Sequence, residues 1–398
     1  MTSWFPGGYA AESQTPGERM PSDGQPVING IDVLQRDGFH PLRDKRVGIV
    51  AHAASVTVEG RRSVDALAAS GSVDLRKIFS PEHGLSATAD TRIGDSVDRQ
   101  TGLPVISLYG ETLKPTAEQL HDLDVVLYDL QDIGCRFYTY ITTLGWLLEA
   151  AAEQRVSVFV LDRPNPIGGG DVEGPCSDVA HESLVAYHEL PLRHGMTVGE
   201  LARLFNAERR LHADLRVVTM GGWQRGFLHS DTHQRWINPS PNIRDEIAAL
   251  LFPGVGLIEG TNVSVGRGTD TPFHVMGAPW LDGAQLSAAL DMLGLPALRT
   301  EPLRFTPKDP GHRFCGEACQ GVRFTIEDPR AFSPAALGLG LVQTLRALYP
   351  TQWQHRLLDP LLASTDLLHA IEEQSTALPE LWEPGLEFFE ARARALLY

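Results

Sequence analysis

Short runs of consecutive apolar residues alternate with helix-like stretches through the first half of the chain, and this alternation limits the possible folds. The runs "RVGIVAH" and "DLRKIFS" flank the helical stretch "GRRSVDALAAS", and "DVVLYDL" and "VSVFVLD" flank a second one. Strands that are apolar along their whole length are typical of parallel sheets covered by helices on both faces. The sequence therefore predicts an α/β fold, with a doubly wound, mostly parallel sheet flanked by helices.

Two helices that would cover this sheet have clear signals. In "MTVGELARLFNAERR" the Thr197 hydroxyl can cap the helix, and Glu200 three residues later completes a capping box. Residues 138–154 carry apolar side chains at helical spacing. We expect a helix in each place.

The alternation stops near residue 240, where prolines interrupt the stretch "NPSPNIRDEIAALLFPGVGLIEGTN". The strand-like "GVRFTIED" and several helical stretches follow it. We predict a catalytic sheet domain over residues 28–239 and a smaller α+β domain over residues 240–398 that completes the cleft. Residues 1–27 are rich in Gly, Pro and Ser and predict a disordered leader.

The charge balance argues against two classes of partner. The chain of 398 residues has 50 acidic residues and 34 Lys or Arg residues, with a formal net charge of −16. Such a surface disfavours nucleic acid and anionic membranes as main partners. No apolar run approaches the roughly 20 residues that span a bilayer, and the leader has no signal-peptide core. We expect a cytoplasmic protein without a nucleic-acid or membrane partner.

The cysteines are scattered and do not form a disulfide framework. "CGEAC" brings two of them close together, but no second pair with zinc spacing completes a metal site. We expect free packing thiols at Cys135, Cys176, Cys315 and Cys319.

Polar side chains follow the predicted strands at their carboxyl ends. These ends share one edge of a doubly wound sheet, where ligands bind near the topological switch point. Single members of the set could instead cap loops or pack in the core. We expect a site among His52, Glu82, His83, Asp129, Gln131, Asp132, Arg136, Tyr138, Tyr140, Asp162, Arg163 and Asn165.

Glu82, in "FSPEHG", has the most suggestive setting of this set. It stands between a proline and His83 where an apolar strand ends, so we expect it to be partly desolvated. Desolvation favours the protonated form of a carboxyl group and makes it able to donate a proton. The motif predicts a catalytic acid.

Several other chemistries lack their motifs. No GxGxxG joins a strand to a helix, no GxxxxGK[ST] phosphate loop occurs, and no GxSxG elbow marks a serine hydrolase. A metal site made by Asp129, Asp132, His83 and Asp162 stays open as an alternative, although its spacing is not diagnostic.

An ordered set of motifs resembles one known family. The motifs are "FSPEHG", "TGLPVISLYG", "DLQDIGCRFYTYITTL", "VLDRPNPIGG", "LPLRHGMTVGELARLFN", "PSPN" and "EGTNVSVGRGTDTPF". Together they resemble the exo-β-N-acetylmuramidases of the NamZ type, which are glycoside hydrolases of bacterial cell-wall turnover. The resemblance covers the whole chain after the leader.

The resemblance implies a Rossmann-like catalytic domain, a smaller auxiliary domain, and release of N-acetylmuramic acid from the non-reducing end of peptidoglycan fragments. It places the family's catalytic glutamate at Glu82 and its tyrosine at Tyr138, with Tyr140 as the second choice. Two departures bear on substrate preference. Val265 stands where the family usually has an acid, and "IVAHAASV" lacks the usual asparagine.

The implied reaction suggests roles for these residues. We expect Glu82 to be the general acid and base, His83 to orient it, and Tyr138 to steady developing charge. Either the substrate's own acetamido oxygen is the nucleophile, or Asp129 or Asp132 is the second carboxylate. No cofactor is expected.

Other residues are candidates for holding the sugar. The lactyl carboxylate of muramic acid calls for an arginine fork, with Arg136, Arg163 and Arg267 as candidates. The remaining binding candidates are Asp129, Gln131, Tyr140, Asn165, His194 and Asn262. Two alternatives remain, a non-catalytic muropeptide-binding protein and a metal-dependent hydrolase using Asp129, Asp132 and His83.

Overall fold

The computed structural model describes residues 26–88, 94–373 and 378–398. The leader predicted over residues 1–27 lies outside these ranges, except for its last two residues. Within the described ranges, no helix combines the length and the apolar character that crossing a membrane would require.

The strands of the described chain are numbered in chain order. They are β1 (Arg46–Ala51), β2 (Asp74–Ser80), β3 (Ser96–Val97), β4 (Pro104–Ser107), β5 (Val125–Asp129), β6 (Ser157–Leu161), β7 (Glu173–Cys176), β8 (Pro191–Arg193), β9 (Leu215–Val218), β10 (Val275–Ala278), β11 (Leu298–Phe305) and β12 (Cys319–Ile326).

The α-helices are numbered in the same way. They are α1 (Gly30–Arg36), α2 (Ser63–Ala68), α3 (Ala117–Leu120), α4 (Tyr140–Gln154), α5 (Val198–Glu208), α6 (Glu246–Glu259), α7 (Gly283–Met292), α8 (Pro334–Leu348), α9 (Asp359–Leu362), α10 (Thr365–Glu372) and α11 (Leu378–Ala393).

The central sheet has seven strands in the order β3-β4-β2-β1-β5-β6-β9. β3 pairs antiparallel with β4, and all the other neighbouring strands are parallel. From β1 the chain proceeds through β2 to β4 on one side, and then through β5, β6 and β9 on the other. This reversal creates a switch point between β1 and β5, where open α/β sheets bind their ligands. The predicted doubly wound fold is confirmed.

Strand β5 shows why all its residues before Asp129 are apolar. Side chains alternate between the two faces of a strand. Val125 and Leu127 pack in one core layer with Ile31 of α1. Val126 and Tyr128 belong to the other core layer, which contains the apolar side of α4. Because both faces are buried, every position of the strand must avoid water.

Helix α5 begins as its sequence predicts. The Thr197 hydroxyl accepts the backbone N–H of Glu200, and the Glu200 carboxylate accepts the backbone N–H of Thr197. This capping box satisfies two of the N–H groups that a helix start leaves unpaired. It also fixes the loop that follows β8. The predicted free cysteines are likewise confirmed, since all four thiols are unpaired.

Helix α6 differs from the prediction, in which prolines interrupt regular structure at this point. The helix continues through Pro253, and residues 248–258 are all buried. A proline inside a helix removes one backbone hydrogen bond. Close packing compensates, because a β-carbon added at Gly254 would lie only 2.4 Å from the Pro334 carbonyl oxygen of α8. The two helix backbones therefore touch, and burial maintains a helix that local sequence disfavours.

Beyond α6 the chain forms the smaller α+β region that the sequence predicts. Strands β10, β12 and β11 form an antiparallel sheet in that order, and helix α7 packs on it. One hydrophobic core joins this region to the central sheet, since it contains Tyr128 of β5, Leu250 of α6 and Leu341 of α8. A domain boundary near residue 240 stays a prediction.

Candidate active site

His52 lies at the switch point, directly after β1, and connects two loops. Its Nδ1 lies 3.1 Å from the Pro239 carbonyl oxygen, and its Nε2 lies 3.0 Å from the backbone nitrogen of Gln131. A carbonyl only accepts and an N–H only donates, so the ring proton is on Nδ1. Burial lowers the pKa of His52 to about 3, and the ring is therefore neutral near pH 7. The sequence places His52 at this edge of the sheet but assigns it no catalytic or binding role.

Glu82 lies in the turn that follows β2. His83 and Gly84 both have left-handed backbone conformations, with φ of 69° and 72°. The backbone N–H of Gly84 donates to the Pro81 carbonyl oxygen at 3.0 Å, which closes the turn. This geometry brings the Glu82 carboxylate to Thr139, whose hydroxyl donates to Oε2 at 2.6 Å. Glu82 is partly exposed, and its Oε1 makes no hydrogen bond within the described residues.

Two tyrosines pack beside Glu82 at the start of α4. The rings of Tyr138 and Tyr140 lie 4.8 Å apart at a steep angle. The Tyr140 hydroxyl donates to the Pro239 carbonyl oxygen at 2.6 Å and lies 3.4 Å from the backbone oxygen of Glu82. Tyr138 is buried beside Ser240, but its hydroxyl has no hydrogen bond of good geometry in the described part of the chain. Burial raises the pKa of both tyrosines, so both keep their protons at neutral pH.

Thr139 is absent from the predicted site residues, although it makes the closest side-chain contact with Glu82. Its sequence position contains a usable signal, because it is the hydroxyl between two candidate tyrosines in "RFYTY". Pro239 of the "PSPN" motif is the second overlooked residue, and it contributes through its backbone.

Two candidate acids of this edge are committed to basic partners. Asp129 ends β5 and accepts a hydrogen bond from Arg163 Nε at 2.7 Å, while Arg163 Nη2 donates to the Val56 carbonyl oxygen. Burial raises the pKa of Asp129, and the Arg163 charge opposes that shift. Asp132 is buried against His194, with 3.1 Å between Oδ2 and Nε2. Both acids therefore fasten loops together.

The side chains of two predicted amide ligands also form hydrogen bonds with the backbone. The Gln131 side chain donates to the carbonyl oxygens of Asp132 and Pro164, each at 2.8 Å. The Asn165 side chain donates to the Met196 carbonyl oxygen at 3.0 Å. Their positions agree with the predicted edge, but their described contacts hold loops in place.

Arg136 does not face the Glu82 edge. Its Nη2 donates to the carbonyl oxygens of Leu361 and Leu362, at the end of α9, at 2.9 and 3.0 Å. The side chain is fully buried, and burial lowers its pKa to about 10. Arg136 therefore joins the segment after β5 to the C-terminal region, and we do not retain it as a substrate ligand.

The other two distant candidates belong to the C-terminal region as well. Arg267 forms an ion pair with Glu259, at the end of α6, and lies over the Phe273 ring at 5.3 Å. Asn262 donates to the Gln352 carbonyl oxygen at 2.8 Å. Neither is retained, since these contacts use the groups that would hold a sugar.

The proposed metal ligands do not form a cluster. The described residues contain no group of three or more His, Cys, Asp or Glu side chains that could hold a metal ion. Asp129 and Asp132 are taken by Arg163 and His194, and His83 lies in the turn after β2. The described residues therefore give no support to a metal centre made of Asp129, Asp132 and His83, and that alternative stays a prediction for the chelator test.

Asp162, which follows β6, is buried at the same edge. Its Oδ1 accepts the backbone N–H groups of Arg163 and Gly199, both at 2.9 Å. Its Oδ2 accepts the hydroxyls of Thr197, at 2.7 Å, and Tyr398. Burial raises its pKa to about 7. This carboxyl group has donors on both oxygens and no access to a ligand.

The fold and this edge define an α/β enzyme in which a partly exposed carboxylate, Glu82, lies beside buried phenols at a switch point. The family model described as "Exo-beta-N-acetylmuramidase NamZ, N-terminal" matches residues 47–246, and the model of the family's C-terminal part matches residues 250–398. The chain belongs to the exo-β-N-acetylmuramidase NamZ family.

Relatives cover nearly the whole chain. The peptidoglycan β-N-acetylmuramidase NamZ of Bacillus subtilis (strain 168) is 40% identical over 351 residues, 87% of this chain and 84% of the relative. A DUF1343 family protein from Bacteroides fragilis has a crystal structure with a TM-score of 0.86 and 32% identity, covering 95% of this chain and 99% of that one. A second from the same organism has a TM-score of 0.74 and 28% identity, with coverage of 93% and 98%.

Proposed function

We propose that this chain is an exo-acting glycoside hydrolase that releases N-acetylmuramic acid from the non-reducing end of peptidoglycan fragments. Membership of the NamZ family supports the proposal, as does the similarity to the Bacillus subtilis relative, a peptidoglycan β-N-acetylmuramidase. The observation that carries it is the Glu82 carboxylate, which Thr139 holds beside two buried tyrosines at the switch-point edge.

Glu82 acts first as the general acid and then as the general base. Its proton goes to the glycosidic oxygen as the bond from that oxygen to the anomeric carbon breaks. The resulting carboxylate takes a proton from the water that attacks the anomeric carbon in the second step. The Thr139 hydroxyl fixes Oε2 at 2.6 Å, which leaves Oε1 for the substrate. His83, the next residue in the turn, helps to orient the carboxylate.

The nucleophile is the substrate's own 2-acetamido oxygen. The usual alternative is a second carboxylate, but Asp129 and Asp132 are buried against Arg163 and His194. Attack by the acetamido oxygen followed by water gives two inversions at the anomeric carbon. The reaction therefore retains its configuration.

Tyr138 stabilises this step. Its phenol keeps its proton, because burial raises its pKa, and its hydroxyl lies beside Ser240 and Tyr140 without a hydrogen bond of good geometry among the described residues. An unpartnered buried hydroxyl gains free energy when a ligand oxygen arrives. The acetamido group, or the charge that develops at the ring, is the proposed acceptor. Tyr140 holds the Pro239 loop against this hydroxyl.

A chromogenic nitrophenyl N-acetylmuraminide tests the proposal. We expect release of nitrophenol and free N-acetylmuramic acid, at equal rates with and without excess chelator. A non-catalytic sugar-binding protein would bind muropeptides and release nothing, and a metal-dependent hydrolase would lose activity in chelator. Proton NMR of the first product should show the β anomer, and the α anomer would contradict retention.

We also propose the cytoplasm as the site of action. The free thiols of Cys135, Cys176, Cys315 and Cys319 support a reducing compartment. Cell fractionation with an antibody against the chain tests this, and recovery outside the cytoplasm would contradict it.

A further inference from the structure

A cavity of about 190 Å³ opens at the carboxyl ends of the central strands. Its wall is formed by residues 54 and 56–60 after β1, Gln131 after β5, Arg163 and Pro166 after β6, the segment 234–237, and also Asn29 and His229. We call it the switch-point cavity. Sites for drug-sized ligands measure roughly 300–1,000 Å³, so this cavity suits one substituent of a sugar and not a disaccharide.

The cavity is connected to the catalytic edge through His52. The Gln131 backbone in its wall donates to His52 Nε2 at 3.0 Å, and His52 also contacts the Pro239 carbonyl oxygen. That oxygen accepts the Tyr140 hydroxyl, and the Tyr140 and His52 rings lie 5.1 Å apart. One hydrogen-bonded unit thus links the cavity wall to the tyrosine beside Glu82. The Tyr140 hydroxyl lies 3.4 Å from the backbone oxygen of Glu82, so this chain of contacts ends at the proposed catalytic residue.

The charges in the wall favour an anionic substituent that meets Arg235. The wall contains two arginines, Arg163 and Arg235, and one acid, the exposed Glu59. Arg163 is committed through Nε to Asp129 and through Nη2 to a backbone oxygen. Arg235 is exposed and has neither an ion pair nor a hydrogen bond with any described residue. The charge of Arg163 is already paired with Asp129. A carboxylate bound here would therefore take its counter-charge from Arg235, while the nearby Glu59 would repel it.

The wall also offers an apolar surface. Trp236 is partly buried, and its ring packs edge-on against His229 at 4.8 Å between centroids. Ile237 and Val56 extend this surface. An arginine fork next to an indole suits a small group that combines a carboxylate with a methyl group.

We infer that the switch-point cavity receives the lactyl substituent of N-acetylmuramic acid and that Arg235 binds its carboxylate. The inference rests on the proposed function, and it makes Arg235 a specificity-determining residue. The lactyl group is what distinguishes muramic acid from glucosamine, so Arg235 sets the preference between the two sugars.

The first test compares two chromogenic substrates that differ only in this charge. One is nitrophenyl N-acetylmuraminide, and the other is its lactyl methyl ester. For wild type we expect a higher kcat/KM on the free acid. In Arg235→Gln we expect this ratio to fall by about 10- to 100-fold, the loss of one charge-assisted contact, and Arg235→Lys should recover part of it. An unchanged ratio in Arg235→Gln would overturn the inference.

The second test is calorimetric binding of free N-acetylmuramic acid and N-acetylglucosamine, which needs no turnover. Wild type should prefer the acid, and Arg235→Gln should lose that preference. Arg299→Gln, an exposed arginine paired with Glu301 on β11, is the matched control and should keep it. If wild type cleaves no muraminide, the proposed function fails while binding still decides the inference. Equal preference in wild type and Arg235→Gln would refute the inference even in an active enzyme.

Discussion

Glu82 and Asp162 are two carboxyl groups at the same edge of one sheet, and their surroundings differ sharply. Glu82 follows β2 in an open turn, is partly exposed, and has one described side-chain partner, Thr139. Asp162 follows β6, is fully buried, and has donors on both oxygens. A strand end alone therefore does not identify a catalytic acid. Glu82 differs from Asp162 in being partly exposed and in having an oxygen, Oε1, without a described hydrogen bond.

The two groups also connect to different parts of the molecule. The contacts of Asp162 reach the start of α5 and Tyr398, so its network holds the sheet, a helix and the C-terminal segment together. Among the described residues, the hydrogen bonds of Glu82 reach the start of α4 and, through Tyr140, the Pro239 loop. The Asp162 network stabilises the fold, whereas the Glu82 turn leaves a carboxylate available to a substrate. Mutations should separate these roles.

The largest expected effect is at Glu82. Glu82→Gln keeps the shape of the side chain but removes the proton that it exchanges, and we expect kcat to fall by about 10²- to 10⁴-fold. Urea unfolding should be almost unchanged, because the side chain is partly exposed. Glu118→Gln, on the exposed side of α3, is the control and should retain full activity. Near-wild-type turnover in Glu82→Gln would remove it from the mechanism.

Asp162→Ala should have the opposite profile. The change leaves buried N–H and hydroxyl donors of Arg163, Gly199 and Thr197 without an acceptor, which we expect to lower the free energy of unfolding by about 3 kcal/mol. Urea denaturation measures this loss, and kcat of the folded fraction should stay within a few-fold of wild type. Asp270→Ala, at an exposed loop position, is the control. A loss below about 1 kcal/mol would contradict the role given to the network.

Thr139→Val probes the contact that distinguishes the Glu82 region. It removes one hydrogen bond to a carboxylate without changing the volume much, and we expect kcat to fall about tenfold. Thr139→Ser keeps the hydroxyl and should restore most of the rate. If Val and Ser variants have equal rates, the hydroxyl does not position Glu82.

The last prediction concerns the pH dependence of stability. Burial raises the pKa of Asp162 from 3.8 to about 7 in the folded protein. The folded state thus holds a proton that the unfolded state releases at lower pH. The stability that this group contributes is complete below about pH 4 and is lost as the pH rises through 7. The unfolding free energy of wild type relative to Asp162→Asn should therefore decrease from pH 4 to 7, by at most about 1.4 kcal/mol per pH unit. An increase would contradict the assignment.

Much of the fold could be predicted because burial on both faces leaves a direct trace in the sequence. The apolar runs predict β1, β5 and β6, the capping box predicts the start of α5, and the ordered motifs predict the family, which is confirmed. Helix α6 could not be predicted, because its stability comes from the contact of Gly254 with α8. Local sequence contains no trace of a neighbour that lies about 80 residues further on.

The site could be predicted only in part. Strand-end positions indicate which residues share an edge, but not which way a side chain points. Arg136 is two residues from Tyr138 in sequence, yet its side chain donates to the Leu361 carbonyl oxygen in the C-terminal region. Val265, the departure from the family pattern, is buried in the core, so an acid there would have needed a buried partner. The roles of Glu82 and Tyr138 stay predictions until the variants are measured.

The burial of α6 on every side has a consequence for how such a protein can evolve. The helix begins where the first matched family segment ends, and its core is shared by both halves. A gene divided at this junction would produce two fragments, each with a large apolar surface exposed to water. Recombination therefore cannot easily join either half to a different domain. The two halves are therefore expected to be inherited together, and substrate range must change by point substitution around the rim.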